Sequence, residues 1–154
     1  MPMHPADLKI LKILQSDSSP SVGEIASRVN LSNSSCWRRI RRMQEKGIIK
    51  RNVAILDREK LGFEFVVFVM VSLVSQTGTA LEKFESSIRA FPEVLECYTM
   101  TGQADYMLKI VTRDMRHYET FVRDRLAQLP NVREFHSHVA VTRIKDSHEL
   151  PLET

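Results

Sequence analysis

Between Leu31 and Met43 the chain reads Leu-Ser-Asn-Ser-Ser-Cys-Trp-Arg-Arg-Ile-Arg-Arg-Met, and this stretch admits few structures. Arginines at 38, 39, 41 and 42 cannot all be buried, so the segment must keep one face in water. At about 100° per residue, Cys36, Ile40 and Met43 fall on one side of a helix, the i, i+4, i+7 spacing of a core-facing stripe. Ser34, Arg38, Arg41 and Glu45 then point the opposite way. Ser35 and Arg42 flank them, while Trp37 and Asn33 edge the apolar stripe. Ser32 carries the short hydroxyl suited to an N-cap. Such a helix opens with small polar side chains and then turns guanidiniums outward, as the DNA major groove requires: short residues reach base edges, and cations meet phosphates and guanine. A solvated basic surface helix would show the same charge run, so the flanking sequence decides.

Upstream, residues 5–16 have helical periodicity, with Leu8, Leu11 and Leu14 as a stripe, Ile10 and Ile13 beside it, and Pro5 in the first turn. Residues 16–20, Ser-Asp-Ser-Ser-Pro, break the pattern. Ser21 and Glu24 have capping-box spacing and open a short helix with Val22, Ile25, Ala26 and Val29 inward. Asn30 tolerates the left-handed conformation of a tight turn, Leu31 points inward, and the arginine helix follows. Gly47 is placed to stop that helix. Residues 49–56 read as extended and basic at their start, a wing or a connecting strand. The arrangement is a helix-turn-helix, here read as a winged one.

The candidate DNA-binding residues are therefore Asn33, Ser34, Ser35, Trp37, Arg38, Arg39, Arg41 and Arg42. Ser34 and Arg38 are placed for bases, Arg41 and Arg42 for phosphates. Arg39 adjoins the core stripe and is open to a structural salt bridge instead. Trp37 reads as packing at the helix edge rather than an intercalating wedge, and Cys36 as plain core.

Charge divides the chain the same way. Of 154 residues, the first 60 hold 12 Lys/Arg against 6 Asp/Glu, and the remainder hold 10 against 13. A basic module joined to a mildly acidic one places a boundary near residues 60–64, giving domains 1–60 and 61–154. The longest apolar run, residues 65–74, is half a membrane helix, and no signal peptide is evident. Cys36 and Cys97 lie far apart with no metal-ligand spacing. His136 and His138 could share a strand face but have no third ligand nearby, so no metal is expected. A cytoplasmic, nucleoid-associated protein without a cofactor is the expectation.

In the second domain the periods change. Residues 65–74 are an apolar strand covered on both faces. Thr79 and Glu82 have capping-box spacing before a helix with Leu81, Phe84, Ile88 and Phe91 inward, ending at Pro92. Residues 94–101 and 106–112 are strands joined by Gly102-Gln103-Ala104-Asp105. Asp114 caps a helix burying Tyr118, Phe121, Val122 and Leu126, and residues 132–144 alternate as a last strand. The order β-α-β-β-α-β predicts an α+β chain whose second domain is ferredoxin-like, with helices on one side of the sheet. The uncovered apolar face calls for a second copy of the chain.

The chain resembles the Lrp/AsnC (leucine-responsive, feast-or-famine) family of prokaryotic transcriptional regulators over nearly its full length. The resemblance rests on residues 7–15 (Asp-Leu-Lys-Ile-Leu-Lys-Ile-Leu-Gln), Leu31-Ser32, Cys36-Trp37-Arg38-Arg39-Ile40, Glu45 to Ile49, and Ala54 to Asp57. It continues through Leu61-Gly62, Pro92-Glu93-Val94, Thr101 to Tyr106 and Leu150-Pro151-Leu152. It implies a RAM/ACT-like βαββαβ domain that binds an amino-acid effector, and homodimers that assemble further, often to octamers, on double-stranded DNA. The pocket it implies lies at Thr101, Gly102, Asp105 and Tyr106 with Tyr98 nearby, and Ser137 completes the candidate effector set. Asp105 is open to two roles, accepting from an α-ammonium or capping the turn. Two departures are local: His4 stands where the family often has Asp, and Arg51-Asn52 replaces a common Gly-Tyr pair. No catalytic constellation supports an enzyme. An architectural DNA-wrapping protein indifferent to small molecules is the alternative.

Overall fold

The computed structural model describes residues 3–153, and the chain divides into two units, Met1–Ile55 with Lys145–Thr154, and Leu56–Ile144. The first unit is three helices, α1 (Pro5–Ser16), α2 (Val22–Arg28) and α3 (Asn33–Glu45). Each start has a side chain that accepts an otherwise unpaired backbone N–H. His4 does this at α1, its Nδ1 accepting from the Ala6 N–H at 3.1 Å, so its replacement of Asp leaves the cap intact. Ser21 and Glu24 close the capping box of α2, and Ser32 accepts from the Ser35 N–H at 3.3 Å. Asn30 takes φ 55° in the turn between α2 and α3, and Gly47 takes φ 68° just beyond α3.

Ile10, Ile25, Ala26, Cys36 and Met43 form the core of this unit. The stripe of α1 is rotated from its expected phase. Ile10 is fully buried and Asp7 buried beside it, whereas Leu8, Leu11 and Leu14 are only partly covered. The rotation brings Asp7 inside to meet two arginines of α3. Residues 50–56 form no regular element, so no wing strand follows α3 among the described residues. Residues 145–154, assigned from sequence to the second domain, group with the first unit. There the Gln15 amide grips the Leu150 backbone, donating to its carbonyl and accepting from its N–H, both at 3.0 Å.

The second unit contains β1 (Phe65–Leu73), α4 (Gly78–Ala90), β2 (Val94–Thr99), β3 (Tyr106–Thr112), α5 (Met115–Asp124) and β4 (Val132–Val139). The strands lie in the order β2-β3-β1-β4 with every neighbouring pair antiparallel, the split βαβ arrangement. Val67, Val69, Val71 and Leu73 face Phe84, Ile88, Tyr118 and Phe121 of the helices, with Tyr106, Leu108 and Ile110 alongside. Alternation sends Phe68, Met70 and Met107 to the other face, where they remain partly exposed.

Local departures from the sequence reading have local causes. Backbone bonds from Ala80 and Leu81 to the Thr77 carbonyl start α4 at Gly78, leaving Thr79 inside the first turn rather than at the cap. Asp114 caps α5 as expected, accepting from the His117 N–H at 2.8 Å. That helix ends at Asp124, and Leu126 reaches the core from a 3-10 turn. β4 stops at Val139, leaving Val141 95% exposed.

Candidate nucleic-acid interface and effector loop

The four arginines of α3 have different environments. Asp7, with a side chain only 6% exposed, takes Arg39 Nη1 on one carboxylate oxygen at 2.9 Å and Arg42 Nη2 on the other at 2.7 Å. Arg39 therefore makes the structural pair that its position beside the core allowed. Arg42, expected at phosphate, shares that carboxylate, because a buried charge must be paired and α1 brings it within reach. Asp7 is the residue of this surface that the sequence reading missed. Its signal was a carboxylate at i, i+3, i+7 phase with Ile10 and Leu14.

Arg41 Nε donates to Glu45 at 3.1 Å, and its guanidinium lies 5.8 Å from the Trp37 ring centroid. Trp37, at the edge of the apolar stripe, is 52% exposed, about half covered. Arg38 is exposed and has no carboxylate partner among the described residues. Asn33 and Ser34 are exposed in the first turn, while Ser35 is partly covered. The structure thus gathers Asn33, Ser34, Trp37, Arg38 and Arg41 on one exposed surface. It turns Arg39 and Arg42 toward α1.

In the second unit, Gly102 takes φ 117°, a conformation L side chains rarely adopt, in the exposed turn it shares with Thr101. Asp105 closes the turn. Its carbonyl accepts from the Met100 N–H and its N–H donates to the Val71 carbonyl, each at 2.9 Å. One carboxylate oxygen accepts from the Leu73 N–H at 2.7 Å and the other from the Gln76 amide at 2.6 Å. Both oxygens are thus engaged in pinning the end of β1.

Tyr106 is buried against Phe84, its hydroxyl donating to Glu85 at 3.0 Å, and burial first, then that bond, pushes the phenol up to about 12. Tyr98 is exposed on β2 and donates to Glu96, which raises its phenol from the usual value. Ser137 stands on β4, the opposite edge of the sheet, where it pairs with the Tyr118 hydroxyl. Tyr98, Thr101, Gly102, Asp105 and Tyr106 therefore belong to one hairpin, and Ser137 lies apart from them within a protomer. A cavity of about 480 Å³ lies between α4 and β2, lined by Glu85, Arg89, Leu95, Cys97, Thr99 and Tyr106 among others. Tyr106 is its only member from the candidate set.

Comparison with known proteins meets this geometry at both ends of the chain. A winged helix-turn-helix DNA-binding family matches residues 3–50, and the Lrp/AsnC ligand binding domain matches residues 66–150. The chain belongs to the Lrp/AsnC family. It is a transcriptional regulator of that family, with a DNA-binding helix-turn-helix unit and a ligand-binding unit. Among its Lrp/AsnC relatives is the Bkd operon transcriptional regulator of Pseudomonas aeruginosa, 41% identical over 138 residues and covering 90% of each chain. The transcriptional regulator AzlB of Bacillus subtilis is 36% identical over 147 residues, covering 96% of this chain and 94% of its own. Among solved structures, a Neisseria meningitidis regulator crystallised with L-methionine superposes with a TM-score of 0.93 at 34% identity, over 98% of this chain and 97% of its own.

Proposed function

We propose that this Lrp/AsnC regulator reads a specific duplex through α3 and that an amino acid adjusts its DNA binding or assembly through the hairpin at Thr101–Tyr106. Ser34 and Arg38 contact base edges, with Arg41 at phosphate. The observation that carries the reading is Arg38: an exposed guanidinium without a carboxylate partner among the described residues, on a helix anchored by Cys36 and Met43 and clamped by Asp7. Arginine in that setting is suited to a bidentate contact with guanine. The L-methionine in the neisserial neighbour supports an amino acid as effector.

Phe68, Met70 and Met107 on the helix-free face favour a homodimer through the second unit, and two copies of α3 suit two half-sites about one helical turn apart. Further assembly to an octamer, a cytoplasmic, nucleoid-associated location and the absence of catalysis belong to the same proposal. So does the division of labour between a DNA-binding region at 1–60 and an effector and oligomerisation region at 61–154, with the last ten residues returning to the first unit.

The test screens the twenty amino acids by thermal shift and then titrates each hit against a duplex selected from a random-core pool, read by anisotropy and sedimentation. A hit that changes duplex affinity or assembly, and loses that effect in Gly102→Ala, is expected. Duplex binding indifferent to every amino acid would leave the architectural reading in its place.

A further inference from the structure

Trp37 is the chain's sole tryptophan, and half of its surface is exposed in the second turn of α3. An indole is rarely left so open on a helix whose apolar stripe, here Cys36, Ile40 and Met43, lies elsewhere. Two observations describe its surroundings. The Arg41 guanidinium lies over the ring at 5.8 Å, and Glu45 ties that guanidinium to the next turn, so the indole is braced from its C-terminal side. Beyond the Arg41 guanidinium, the indole has no polar partner among the described residues. The ring shares its surface with Asn33, Ser34 and Arg38, while the opposite flank of α3 is closed by Asp7.

Resting on the recognition-helix reading above, we propose that Trp37 determines sequence specificity by packing its indole against the 5-methyl group of a thymine in the major groove. The methyl is the only alkyl group that a base pair shows there, and it alone separates thymine from uracil. An exposed, braced aromatic edge flanking Arg38 places an apolar reader next to a polar one. The same helix then distinguishes adjacent base pairs by different chemistry.

The duplex selected from the random-core pool is resynthesised with uracil in place of each thymine in turn and titrated with the full-length protein. At one thymine per half-site the wild type should lose about fourfold in affinity, the value of one buried methyl group. Trp37→Ala should bind more weakly and be indifferent to uracil at that position alone, and Trp37→Phe should keep part of the discrimination. Because no other tryptophan is present, emission from Trp37 should change on saturation with duplex. Unchanged emission on a duplex that binds, or identical uracil profiles for wild type and Trp37→Ala, would overturn the assignment to Trp37 while Arg38→Ala still tests the helix. A protein that selects no duplex at all would take both readings down together.

Discussion

Replacing Asp7 by Asn separates two accounts of what a carboxylate is doing beside a DNA-reading helix. If charge alone mattered, removing a negative group near four arginines would strengthen attraction to phosphate. The geometry argues the reverse. Asp7 is 4% exposed and is shared by Arg39, whose side chain is 22% exposed, and Arg42, at 51%. Asn keeps one acceptor but turns its NH2 group toward a guanidinium, so one pair becomes donor against donor. Removing one partner of a buried pair costs about 3–5 kcal/mol, and exposed pairs are worth about 1 kcal/mol or less. With the carboxylate and Arg39 covered and Arg42 half in water, about 2–3 kcal/mol is expected. For a unit of this size that is a fall in melting temperature of about 10–20 °C. Trp37 lies in the same unit and reports its unfolding by fluorescence in urea. Asp7→Asn should lower the urea midpoint and weaken duplex binding, since α3 loses its hold on α1. Tighter binding with an unchanged midpoint would refute the clamp.

Five further outcomes follow from the same structure. Arg38→Ala should cost about 1–3 kcal/mol in duplex affinity without altering the urea midpoint, whereas Arg42→Ala should lower the unfolding free energy by about 1 kcal/mol, read as a lower urea midpoint, and leave the salt dependence of binding unchanged. Lys50→Gln with Arg51→Gln should weaken binding to all duplexes alike and flatten the salt slope by about two per protomer, about four for a dimer on two half-sites, as read by anisotropy from low to moderate salt. Gly102→Ala should cost the second unit about 1–2 kcal/mol by calorimetry, because φ 117° disfavours any Cβ even though open space surrounds it. Tyr106 holds its proton up to about pH 12 in the fold against about 10 when unfolded, so its contribution is complete below pH 10 and lost as pH rises through 12. Tyr106→Phe should make stability less dependent on pH over that window, measured by urea unfolding alongside phenolate absorbance.

What could be read from the chain was what depends on neighbours in sequence. The caps at Ser21, Ser32 and Asp114, the left-handed Asn30 and the inward Cys36 each follow from residues within one or two turns. What escaped depends on partners far along the chain. Asp7 meets Arg39 and Arg42 more than thirty positions away. That long-range pair set the phase of α1, where the spacing of leucines alone pointed to another face. Asp105 shows a turn aspartate but not its grip on Leu73 and Gln76. Gln15 looks like an ordinary helix residue until Leu150 arrives beside it. Thr79 has the right spacing for a cap, but the chain had already begun turning at Thr77, where backbone acceptors were available.

The division among the arginines bears on how such a helix combines affinity with selectivity. Asp7 offsets charge at Arg39 and Arg42, and Glu45 offsets Arg41, so two carboxylates stand against four guanidiniums at α3. A helix that kept all four charges open would bind any duplex tightly, because phosphate attraction carries no sequence information. On the proposed reading, damping three of them leaves Arg38, which has no carboxylate partner among the described residues, as the guanidinium placed to respond to the base opposite. On the same reading general attraction falls, besides Arg41, to Arg28, Lys46, Lys50 and Arg51, all four exposed and outside the ion pairs seen among the described residues. They lie at the ends of α2 and α3 or just beyond, so they suit the sugar-phosphate walls rather than the groove floor. Overall affinity is then adjustable at sites that leave sequence preference alone. On that reading a change at Arg38 or Trp37 should alter which duplex is chosen, and a change at Lys50 or Arg51 should alter how strongly every duplex is held.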